Sequence, residues 1–253
     1  MREIERILAS EHHRDVAVAE GVIELDGIVA FVDTRLPDVW DSNYLRVDRP
    51  GIDADAVVAA GDETLGAAGM RHRSVFPLDE RDGERLAAEL EPRGWDAKRG
   101  IYMVHRRPPD RPGAFEVKEV VQDVVDPARR AFFAPDLDAD QFLLRDRLLG
   151  AAGGDRWFVV READVVLSFC RLLADDDTAQ VEDVGTMPHA RGRGLARAVT
   201  LAAVTAARAD GHRLIWLAAS ADDWPRQLYA RLGFELVGAE VSLYLAPPGG
   251  CGD

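Results

Sequence analysis

Val184-Gly-Thr-Met-Pro-His-Ala-Arg-Gly-Arg-Gly-Leu-Ala196 decides how this chain is read. It lies between a run with strand character, Gln180–Thr186, and the strongest helical pattern in the sequence, Gly194–Ala209. In that helix Leu195, Val199, Ala202 and Ala206 recur at helical spacing, and Asp210-Gly211 supplies the stop. A helix start presents unpaired backbone N–H groups and a partial positive charge. Gly192 and Gly194 let an anion approach the main chain closely, and Arg191 and Arg193 add positive charge in the same turn. The expected result is an anion site at the helix N-terminus.

Three phosphate-binding designs can be weighed against it. A P-loop requires a Lys-Ser/Thr pair after its last glycine, and this loop has none. A dinucleotide fingerprint requires a third glycine where Arg197 stands, with an acidic ribose partner falling late, near Ser220–Asp222. The third design is a loop that holds the pyrophosphate of acetyl-CoA.

Further blocks align with that third design. Arg191-Gly-Arg-Gly-Leu-Ala196 follows Thr186-Met-Pro-His-Ala-Arg191, and Leu228-Tyr-Ala-Arg-Leu-Gly-Phe234 comes later at a fitting distance. Together these resemble the GNAT family of acetyltransferases, over roughly Phe115 to Leu245. The resemblance implies an α/β fold with a mixed sheet, the GNAT acyl-CoA N-acyltransferase fold. It implies acetyl-CoA as cosubstrate, its pyrophosphate cradled by the backbone of Arg191, Gly192, Arg193, Gly194, Leu195 and Ala196. The strand end Val184, Gly185 and Thr186 would pair with the pantetheine arm. Asp222, standing where the family often has Asn, would meet the pantetheine arm as well. Tyr229 occupies the position of the family's general acid, contacting the cofactor as well. A packing role for Tyr229 is the alternative.

A general base should lie on the strand before the loop. Strand side chains alternate, so Glu182 is expected on one face with Gln180, Val184 and Thr186, and Asp183 on the other. Glu182 is the candidate base, against the alternative that it orients a cationic substrate or is solvated; Gln180 would then touch the acceptor. Asp136, Asp138 and Asp140 resemble a calcium loop but lack its Gly and Glu. In the resembling fold this region walls the acceptor. Cys170 reads as a small buried hydrophobe, and no metal site is expected.

The first half reads less clearly. Its signals are a hairpin at Asp26-Gly27, a loop over Arg35 to Asp55, helices over Ala54–Ala68 and Asp82–Leu90, and strands over Arg71–Phe76 and Ile101–His105. Gly94-Trp95 and Gly233-Phe234 follow helices in similar contexts. The echo is either a duplication, giving a tandem GNAT arrangement, or two ordinary turns. The three prolines of Arg106–Gly113 mark a linker. The expected domains are therefore 1–107, a smaller α/β domain, and 114–247, the catalytic domain, joined by 108–113 and followed by a tail, 248–253.

Composition narrows the partners. The chain has 253 residues and a net charge of -14, which gives a nucleic-acid partner no electrostatic support and mildly favours an amine, small-molecule or peptide, as acceptor. The charged N-terminus lacks a signal-peptide core, and no run reaches the roughly 18 apolar residues of a membrane helix. A cytoplasmic protein is expected, and a homodimer is compatible with it. The leading function is N-acetyl transfer from acetyl-CoA to a primary amine within a ternary complex. Its rivals are a non-catalytic acyl-CoA-binding module and a nucleotide-dependent oxidoreductase.

Overall fold

The computed structural model describes residues 2–134 and 137–247. Asp136, Cys251 and the expected tail 248–253 lie outside the described residues. The chain divides into two compact units that alternate along the sequence. One comprises residues 1–14, 102–219 and 223–238, the other 15–101, 220–222 and 239–253. A single cut at 108–113 therefore does not separate them.

The second of these units begins with the hairpin expected at Asp26-Gly27. Strands β1 (Gly21–Leu25) and β2 (Ile28–Val32) pair antiparallel around Gly27, whose φ of 79° is the left-handed conformation the turn demands. β3 (Tyr44–Val47), in a stretch expected to be loop, pairs antiparallel with β2 and parallel with β4 (Arg73–Pro77). Four residues among turn-formers give too short a pattern to stand out. α2 (Ala54–Gly61) is capped by Asp53 and runs on as a π-helical turn through Gly66; α3 (Glu80–Leu90) is capped by Asp79. Val57, Leu65, Leu86 and Leu90 of these helices pack on Leu45, Val75 and Leu243. Leu243 belongs to β11 (Phe234–Leu245), whose last residues pair antiparallel with β4.

The other unit carries α1 (Glu3–Val18) as far as Arg14, and the end of β5 (Asp96–His105). The remainder is β6 (Lys118–Val120), α4 (Gln122–Arg130), α5 (Ala139–Gly153), β7 (Asp155–Glu162), β8 (Val165–Asp175), β9 (Thr178–Thr186), α6 (Leu195–Ala209), β10 (Leu214–Ser220), α7 (Pro225–Leu232) and the start of β11. β6 to β9 pair antiparallel in order, and β10 joins β9 in parallel. The charged start of the sequence carries no clear apolar stripe, yet α1 begins there at Glu3. Ile7 of α1 is fully buried with Tyr102, Val104, Leu214 and Trp216, so tertiary burial stabilises a helix that its own sequence specifies weakly.

The proline-rich segment is not a free linker. Arg106 and Arg107 donate backbone hydrogen bonds to Gly233 O, Asp110 N donates to Arg231 O, and Arg197 donates to the Asp110 carboxylate at 2.6 Å. A Cβ on Gly233 would stand 1.9 Å from Arg107 O, so only glycine fits beneath this segment.

Candidate active site

The loop before α6 has the geometry of an anion cradle. Gly192 and Gly194 have φ of 77° and 89°, and a Cβ added to either would meet nothing within 4 Å. The glycines are thus needed for their backbone conformation, with open space on the outside. No described side chain caps Gly194 and no acidic residue occupies the first turn of α6. The helix-start donors therefore have no protein carboxylate or hydroxyl competing for them. Arg193 pairs with Glu162 and lies over the Phe115 ring, while Arg191 Nε donates to Thr186 O at 3.3 Å. Arg193 therefore adds less free positive charge than its position suggests.

β9 and β10 part directly beside this loop. Their parallel register covers Thr178–Gln180 against Leu214–Trp216 and extends no further. On its other edge β9 remains paired with β8 as far as Thr186 against Ser168. The edge of Glu182–Thr186 facing β10 thus leaves main-chain groups available to an extended ligand arm, as a β-augmenting peptide would use them. Val184, Gly185 and Thr186, the three residues expected to meet pantetheine, lie on this stretch. Gly185 O already accepts from Ser168 Oγ and Thr186 O from Arg191 Nε, which leaves the Val184 carbonyl without a side-chain donor among the described residues.

A β-bulge corrects the expected facing of this strand. Phe169 pairs with Gly185 and Arg171 with Glu182, so Cys170 opposes both Asp183 and Val184; Asp183 takes φ of 53°. The extra residue reverses the alternation. Gln180, Glu182 and Gly185 share the face of Arg171 and Phe169, whereas Thr186 lies on the opposite face, its hydroxyl 2.9 Å from that of Ser168. Glu182 and Thr186 do not share a face. Asp183 is drawn to the Glu182 side, where Arg129 Nη1 meets its carboxylate at 2.5 Å.

That face carries a chain of buried charges. Arg129 bridges Asp183 and Asp146, and the fully buried Arg171 bridges Asp146 and Asp155. Burial and the neighbouring Asp183 push the Asp146 carboxyl up to about 6. Glu182 stands apart: its Oε2 is buried and no described group hydrogen-bonds it. Gln180 is not open to an acceptor, because it is buried and its amide oxygen accepts from Arg14.

Tyr229 lies in α7 with 8% of its surface exposed and packs edge-on to Phe234, with ring centroids 6.1 Å apart. Burial, then Cys170 and Asp223, push its phenol up to about 12. Cys170 donates to Val199 O, and burial drives its thiol well above the ordinary range, which suits a core residue and not a nucleophile.

Asp222 is exposed and belongs to the other unit. Asp138 caps α5, accepting from Asp140 N, and Asp140 pairs with Arg130. Among the described residues no group of three or more His, Cys, Asp or Glu could hold a metal, and no helix is long and apolar enough to cross a membrane.

Residues 121–234 match the model of the acetyltransferase (GNAT) family. No curated protein matches the sequence. Among solved structures, a GCN5-related N-acetyltransferase from Kribbella flavida is similar with a TM-score of 0.70 and 22% identity, over 99% of this chain and 97% of that one. A functionally unknown conserved protein from Staphylococcus epidermidis ATCC 12228 aligns with a TM-score of 0.70 and 14% identity, over 92% of this chain and 97% of that one. A tandem GNAT protein from the clavulanic acid biosynthesis pathway aligns at 0.54 and 17% identity, over 83% and 76% of the respective chains. These likenesses concern the fold, and the last fits a tandem arrangement.

Proposed function

We propose that this chain, whose residues 121–234 match the GNAT family model, transfers an acetyl group from acetyl-CoA to a primary amine. The observation that carries the proposal is the conjunction of the uncapped helix start at Gly194 with the parting of β9 from β10 beside it. One is suited to a diphosphate and the other to the extended arm that follows it.

Acetyl-CoA supplies the activated acyl group. In this reading the N–H groups from Arg191 to Ala196 hold its pyrophosphate, and the open edge of Val184–Thr186 aligns the arm. Glu182, with a carboxylate oxygen free of protein partners, takes a proton from the acceptor ammonium, directly or through a water. Tyr229, held neutral far above physiological pH, hydrogen-bonds the departing sulfur. A weakly acidic phenol serves better as a hydrogen-bond donor there than as a full proton source.

Gly194→Asp tests the reading. The variant strains a left-handed position and puts a carboxylate at the cradle. Its affinity for acetyl-CoA by calorimetry should fall at least tenfold while its far-UV spectrum stays that of the wild type and its melting remains cooperative, shifted by no more than the roughly 1–2 kcal/mol that the strained position costs. Unchanged affinity would overturn the assignment.

A further inference from the structure

We infer that the acceptor is a monoamine with an apolar or aromatic substituent, and that Phe132 sets this preference; the inference rests on the acetyl-transfer reading above. It follows from what occupies the Glu182 face of β9. Three carboxylates there, Asp183, Asp146 and Asp155, are already tied to Arg129 and Arg171. That leaves Glu182 as the carboxylate on this stretch of strand whose buried oxygen has no protein partner. The face thus offers a place for one ammonium group, and a polyamine's second charge would find its counter-charges taken.

The same ion pairs bear on acidic acceptors. Arg129 gives one terminal nitrogen to each of two aspartates, and Arg171 is fully buried with its donors on Asp146 and Asp155. Arg129 keeps a single unpartnered donor, the buried Nε, and Arg171 none that faces outward. Neither therefore offers the two-pronged fork that would receive the carboxylate of a free amino acid, and an acidic acceptor would also meet the Glu182 carboxylate.

Beyond Glu182 the face turns apolar. The Phe169 ring lies across Gly185 so closely that a Cβ there would stand 2.4 Å from its Cζ. Phe132, directly after α4, meets that ring edge-on with centroids 5.3 Å apart and stays 39% exposed. Met187 packs against the cluster that contains Phe169. Glycine at 185 thus lets an aromatic wall close on the strand where the open β9 edge would deliver the acetyl group. An exposed phenylalanine on that wall gains by covering an apolar substituent, worth roughly 25 cal/mol per Å² removed from water.

An amine panel that reads release of free thiol, together with calorimetry for CoA, tests this on the intact protein. 2-Phenylethylamine and hexylamine should be acetylated with kcat/KM at least tenfold above spermidine and above free lysine or phenylalanine. Phe132→Ala should raise KM for 2-phenylethylamine at least fivefold while leaving KM for acetyl-CoA unchanged, and Phe132→Leu should recover most of the loss. A protein that binds CoA but prefers spermidine or an amino acid, acetylates none of the apolar amines, or ignores the Phe132→Ala change overturns this inference and leaves the transfer reading standing. A protein that does not bind CoA overturns that reading itself.

Discussion

At the scale of single residues, Tyr229 and Asp146 show how burial assigns roles. The Tyr229 phenol stays protonated up to about pH 12, so pH-dependence of the rate near neutrality must come from other groups. Tyr229→Phe should lower kcat about 100-fold and change KM for acetyl-CoA less than threefold, as steady-state assays would show. Asp146 titrates at about 6 in the folded protein against an ordinary value of 3.8. A raised carboxyl favours the folded state most when protonated, so its contribution is full below pH 3.8 and is lost as the pH rises through 6. The stability difference between wild type and Asp146→Asn should therefore shift in favour of the variant by up to about 3 kcal/mol between pH 4 and pH 7, measured by denaturant titration. A difference independent of pH would mean that Asp146 stays ionised throughout. Glu182 was visible as a candidate from its place on the strand, and Tyr229 from the family resemblance. The bulge that puts Glu182 and Thr186 on opposite faces was not. It needs a positive φ at Asp183, which no glycine or turn motif in the sequence announces.

At the scale of elements, the hairpin at Gly27 and α6 were legible because each has punctuation of its own: a glycine in a turn, and a glycine before a periodic run. α1 and β3 were not, because their stability comes from partners distant in sequence. α1 is keyed to the point where β9 and β10 part. Arg14 donates to Gln180, on the final rung of their pairing, and its guanidinium lies 5.6 Å from the centroid of the Trp216 ring across that rung. Ser10 accepts from Thr178 on the first rung at 2.9 Å. Removing a buried charged donor costs roughly 1.5–3 kcal/mol. Arg14→Met should lower stability by about that much in chemical denaturation, and it should weaken acetyl-CoA binding several-fold by loosening the fork; Arg14→Lys should recover part of both. Loss of stability with unchanged acetyl-CoA affinity would show that the helix only supports the domain.

At the scale of the whole molecule, the interleaving of the two units governs what can be cut away. The unit holding the candidate site needs residues 1–14 and the end of β5, and the other needs the end of β11 to complete the edge of β4. A fragment covering 114–247, the domain that the prolines at 108–112 suggested, lacks the Ile7, Tyr102 and Val104 side of a buried cluster. It should be insoluble or molten when expressed alone, as judged by near-UV circular dichroism, and addition of a peptide spanning residues 1–14 should not rescue it without β5. A well-folded, CoA-binding 114–247 would contradict this. Proline content reported correctly that the segment is neither helix nor inner strand. It could not report the hydrogen bonds to Gly233 and Arg231 that hold the segment down.

The bond from Arg14 to Gln180 spans 166 positions of the chain. On a ribosome adding about 5–20 residues per second, the first helix emerges and then waits roughly ten to thirty seconds for its berth to be synthesised. During that interval Ile7 and the stem of Arg14 are exposed to the cell, so nascent chains should be most vulnerable to proteases and most dependent on holding chaperones before the ninth strand appears.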